Sequence, residues 1–80
     1  MRDMILNILE GICGDEIVRI DPDINLVDEG LMESFDYITL IMELQDIVGV
    51  SISPSEFTRE EMDTPNKIID IVASKLEAVN

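Results

Sequence analysis

The chain contains no histidine and no tryptophan, a single cysteine, three prolines, and only one tyrosine and two phenylalanines. Without histidine there is no Ser–His or Cys–His pair to activate a nucleophile, and the usual His/Cys zinc sites cannot be built. Most hydrolase chemistry is thereby excluded. One cysteine, Cys13, rules out an internal disulfide framework and fits a reducing compartment; its plainest reading is a buried, inert thiol. Long apolar runs are missing too. The opening MRDMILNILEGI interrupts its apolar residues with charge and is too short for a signal peptide or a membrane span, so a cytoplasmic protein is the expectation. Basic residues are scarce: five stand against eighteen acidic ones, a formal net charge of −13. Such a surface repels nucleic acid and anionic lipid and attracts partners with basic patches, although acidity of this order also serves solubility alone.

What is present is aliphatic and helical. Nearly half of the 80 residues are apolar, mostly Leu, Ile, Val and Met. That composition favours a small all-α domain, residues 1–80, with one core. From Arg2 to Cys13, apolar Met4, Ile5, Ile8, Leu9 and Ile12 recur at helical spacing, and Gly14 is a stop. Asp15 to Met32 reads as a long loop pinned by Ile17, Val18, Ile20, Ile24, Leu26 and Leu31; a loop of this length is functional or contains a short helical turn. The strongest helix runs from Ser34 to Val48 and ends at Gly49, with Ser34 as N-cap and Asp36 in its first turn. Ser53-Pro54 with Glu56 begins a short helix carrying Phe57 and Met62. Thr64-Pro65 begins the last helix, with Ile68, Ile69, Ile71, Val72 and Leu76 on its apolar face and Lys75 near its end.

Around the helix that starts at Ser34, at about 100° per residue, Tyr37, Leu40, Ile41, Leu44 and Val48 share one arc, the core face. Phe35, Ile38 and Met42 form a second apolar arc, and Asp36, Thr39, Glu43 and Asp46 a third, polar one. The broad apolar surface fits either a helix central to a bundle or an exposed, acid-rimmed docking patch. Ser34 likewise has two readings: a simple cap, or the bearer of a phosphate-linked group at a helix start, where free N–H groups and the helix dipole favour an anion. The run Asp21-Pro22-Asp23-Ile24-Asn25 starts like a calcium loop, but Leu26 and Met32 stand where that loop needs Gly and Glu, so no metal site is expected.

DEGLMESFD, residues 28–36, resembles the prosthetic-group site of the acyl and peptidyl carrier protein superfamily, whose usual core is Asp-Ser-Leu where this chain has Glu33-Ser34-Phe35. The resemblance extends to helix order and to almost the full length. It is closest to the D-alanyl carrier proteins of teichoic acid D-alanylation in Gram-positive bacteria, on EGLMESF (29–35) and SEFTREEMDTPNKI (55–68), in which Glu56, Phe57 and Arg59 are the discriminating residues. Met62 departs from the tryptophan typical of those carriers, and Thr39 and Gln45 replace acids common in fatty-acid carriers.

The resemblance implies a four-helix bundle of three longer helices and one short one, with a long first loop. It further implies a non-enzymatic carrier with covalent 4′-phosphopantetheine on Ser34 and an aminoacyl thioester, D-alanine, on the arm. Partners implied are a phosphopantetheinyl transferase, an adenylating ligase for D-alanine and a downstream acyltransferase that could be membrane-bound. Docking would fall to Glu33, Phe35, Asp36, Ile38, Met42, Glu43 and Asp46 on a monomer that does not insert into the membrane. The alternatives are a stand-alone carrier for fatty-acid, polyketide or peptide synthesis, and an acidic helical adaptor in which Ser34 is only a cap.

Overall fold

In the computed structural model, which describes residues 1–79, the chain is helical, and no strand occurs among the described residues. Helix α1 spans Arg2–Cys13, α2 Ile17–Ile20, α3 Ser34–Glu43 and α4 Pro65–Val79; a 3₁₀ turn, Arg59–Met62, precedes α4. The three longer helices and the long first loop follow the sequence expectation.

Helix α1 buries Ile5, Leu6, Ile8 and Leu9, leaves Met4 exposed, and stops at Gly14, whose φ of 68° lets its N–H reach the Glu10 carbonyl at 2.8 Å. A left-handed glycine of this kind satisfies a carbonyl that the helix end leaves open. Helix α3 does not remain α-helical to Val48. Its last turn, Leu44–Val48, widens to a π-helical turn closed by the Gly49 N–H on the Leu44 carbonyl at 3.0 Å, with Gly49 at φ 80°. Leu40 and Leu44 stay fully buried on the rod so formed, while Ile47 turns outward.

The first loop is shorter of irregular chain than its length suggests, because α2 occupies four of its residues. Val18 and Leu26 anchor it in the core, but Ile20, expected among the anchors, is 70% exposed. Polar ties hold the loop in addition to the apolar anchors. The Leu26 N–H donates to the Asp63 carbonyl at 2.7 Å, the Asn66 N–H donates to the Pro22 carbonyl at 2.9 Å, and the Asn66 amide donates to the Asp23 carboxylate at 2.7 Å. Asn25, the last residue of the run that starts like a calcium loop, caps the next turn by accepting from the Val27 and Asp28 N–H groups. The acidic run thus folds as turns docked on the start of α4.

The short helix begins later than expected. Ser53 to Phe57 makes only a single turn, with the Glu56 N–H on the Ser53 carbonyl at 3.0 Å, and the helical piece starts at Arg59 with Thr58 as its cap. Thr58 Oγ1 accepts from the Glu61 N–H while the Glu61 carboxylate accepts from the Thr58 N–H, a reciprocal box that satisfies both orphan donors. Glu56 also joins Lys75 of α4 in an ion pair, and the Lys75 ammonium lies 5.8 Å from the Phe57 ring centre. The core closes with Val50, Ile52 and Met62 from these linkers against Ile68, Ile69 and Val72 of α4.

Candidate functional site

Ser34 lies at the start of α3, exposed, but it is the first helical residue rather than the cap. Glu33 takes the cap position in an extended conformation, and the Asp36 carboxylate accepts the Glu33 N–H at 2.8 Å. Glu33, boxed reciprocally with Asp36, thereby takes the cap that the sequence assigned to Ser34, and the serine hydroxyl is left free for another contact. That contact comes from Arg59, whose Nη2 donates to Ser34 Oγ at 2.6 Å across 25 residues of chain.

The local arrangement favours an anion. The first N–H groups of any α-helix lack intrahelical carbonyls and sit at the positive end of the dipole. The guanidinium adds a full positive charge beside the same hydroxyl. Carboxylates at Glu33 and Asp36 oppose it, so the guanidinium and the helix start are the anion-binding groups in an otherwise acidic surround.

Phe35, Ile38 and Met42 project outward from α3, at 82%, 49% and 61% exposure. The fold leaves this second apolar arc on the surface instead of packing it in the core, with Ile38 also at the edge of a cleft. Asp46 is exposed beside it and Glu43 half-buried, whereas Asp36 is half-buried and engaged at the helix start. On the inner side, Tyr37, Ile41 and Phe57, with buried Met62, line a cleft of about 250 Å³ that also touches Ser34 and Arg59. Tyr37 bridges its two walls, donating its hydroxyl proton to the Met62 carbonyl at 2.8 Å. Burial, then the nearby charges of Asp63 and Cys13, push the Tyr37 hydroxyl up to about 12.

Cys13 is half-buried rather than buried. Desolvation, followed by Asp36 and Asp15, pushes its thiol up to about 11, so it stays protonated near neutral pH and is a poor nucleophile.

Sequence reasoning named Arg59 only as part of a resembling segment, not as a site residue. A signal was present: it is one of only five basic residues, and it falls in the segment that discriminated most. Its proximity to Ser34 is tertiary and could not be read from spacing.

Two comparisons bear on this geometry. Residues 3–72 match the family model described as the phosphopantetheine attachment site. The chain is also similar to a D-alanyl carrier protein from Abiotrophia defectiva, at 38% identity over 79 residues, covering 99% of this chain and 100% of that relative.

Proposed function

The chain belongs to the phosphopantetheine attachment-site family, and from that premise we propose that Ser34 bears the 4′-phosphopantetheine within a single carrier domain, residues 1–80. The observation that carries this reading is the exposed Ser34 hydroxyl on the first turn of α3, relieved of capping by Glu33 and Asp36 and met by Arg59. A phosphodiester fits there, because first-turn N–H groups and a guanidinium both favour negative charge. When bound, the group supplies a terminal thiol on a long flexible arm, on which an acyl or aminoacyl unit is held as a thioester.

The chain's own residues position and present; partner enzymes make and break the bonds. Helix α3 fixes the root of the tether, so delivery to a docked partner runs at an effective concentration on the order of millimolar instead of the bulk value. Phe35, Ile38 and Met42 give the docked partner an apolar footing, and Glu33, Asp36, Glu43 and Asp46 steer its basic surface. The cargo is D-alanine, for the D-alanylation of teichoic acids. Support for that comes from the segments 29–35 and 55–68 and from the D-alanyl carrier relative. The partners are then a phosphopantetheinyl transferase, a D-alanine-adenylating ligase and a downstream acyltransferase, met from the cytoplasm. No helix among the described residues is long and apolar enough to cross a membrane.

The test is intact-mass analysis after incubation with coenzyme A and a broad-specificity phosphopantetheinyl transferase. One phosphopantetheine increment on the wild type and none on Ser34→Ala is the expected result; an increment that persists in Ser34→Ala, or none at all, overturns the assignment. Loading by an adenylating ligase offered D-alanine against fatty acids then decides the cargo.

A further inference from the structure

The described basic side chains are not used alike. Lys67 pairs with Asp63, Lys75 with Glu56, and Arg19 with Asp3 and Glu10. Arg2 instead links α1 to α4 through the Asn66 side-chain oxygen at 3.1 Å. Arg59 alone among them has its hydrogen bond on the serine hydroxyl, and no carboxylate of a described residue lies within ion-pair distance of it although the chain carries eighteen acids.

A guanidinium has five donors in a planar fork, and one hydroxyl engages a single donor. The remaining donors match the two non-bridging oxygens of a phosphodiester, the geometry in which arginine exceeds lysine. The backbone around Arg59 holds it in place. Thr58 and Glu61 cap its turn, Lys67 Nζ donates to the Glu60 carbonyl at 3.0 Å, and Tyr37 ties Met62 to α3.

We propose that Arg59 is a phosphate-binding positioning residue: on the modified protein its guanidinium binds the phosphodiester oxygens at Ser34 and restrains the root of the arm. This rests on the reading of Ser34 as the attachment point. Without Arg59 only helix-start N–H groups would offset the repulsion between a phosphodiester at Ser34 and the neighbouring carboxylates of Glu33 and Asp36. The arm would remain attached but would swivel more freely at its base.

The experiment compares wild type with Arg59→Ala, Arg59→Lys and, as a control with matched net charge, Arg2→Gln. Each is modified with coenzyme A and the broad transferase and checked for complete conversion by intact mass. Phosphorus NMR then reads the phosphodiester, and nitrogen-15 NMR the arginine side chains. In wild type and Arg2→Gln, the phosphorus line is expected to be shifted and broad relative to the same phosphodiester on the urea-unfolded modified protein, and the Arg59 side-chain resonance to move between unmodified and modified protein. In Arg59→Ala the line narrows and returns toward the unfolded-state position, with Arg59→Lys between. Identical phosphorus shift and width in wild type and Arg59→Ala, with an unmoved Arg59 resonance, overturns the proposal while complete conversion leaves the attachment reading standing. Absence of any mass increment on wild type removes the attachment reading, and this inference with it.

Discussion

Leu26 ties together two parts of the chain at one position. Its side chain is fully buried, its N–H donates to the Asp63 carbonyl at 2.7 Å, and its carbonyl accepts from the Leu31 and Met32 N–H groups at 2.9 and 3.0 Å. Leu26→Ala keeps the backbone bonds and deletes the packing, so a loss of about 2–5 kcal/mol is expected from urea unfolding. Cys13 and Tyr37 are expected to weaken the fold at alkaline pH. Both have folded pKa values raised above their ordinary ones, from 9.0 to about 11 and from 10.0 to about 12. The unfolded chain therefore ionises first as pH rises, and the stability these groups contribute is intact below pH 9 and lost between about 9 and 12. The urea midpoint should fall across that window, and Cys13→Ala combined with Tyr37→Phe should flatten the fall. An unchanged slope in the double variant would assign the loss to other groups.

Among the elements, those with local signals were legible and those made by distant contacts were not. Gly14, Gly49 and Thr64-Pro65 end or start helices through chemistry within a few residues, and each acts where the sequence places it. Ser53-Pro54 with Glu56 has the look of a helix start and half fulfils it, since the Glu56 carboxylate does accept the Ser53 N–H at 3.2 Å. Lys75, on α4, takes the same carboxylate and holds it below the usual carboxylate range, and the chain makes one turn instead of a helix. At the site, periodicity grouped Phe35, Ile38 and Met42 on one arc and only the resemblance singled out Ser34, while the exposure of that arc, the Glu33–Asp36 cap and the Arg59 contact depend on the folded backbone. The Tyr37 bond is likewise tertiary. Removing it with Tyr37→Phe should cost about 1 kcal/mol in urea unfolding, and amide exchange should quicken in residues 59–62 without matching change in α1.

Over the whole molecule the net charge of −13 acts in two directions. Self-repulsion disfavours the compact state, and screening relieves it, so added sodium chloride should raise the urea midpoint. The same screening weakens attraction to basic partners, so the second-order rate of modification by the transferase should fall over the same salt series. A midpoint that falls with salt would show that local ion pairs outweigh the global field. The hydrogen bond from Tyr37 to Met62 also has an optical consequence. With no tryptophan and one tyrosine in the chain, ultraviolet emission in the tyrosine band comes from a single ring, the one that spans the cleft beside Ser34. Its fluorescence lifetime therefore reports the opening of that cleft without any added dye, and a partner's tryptophan emission can be followed against a dark background.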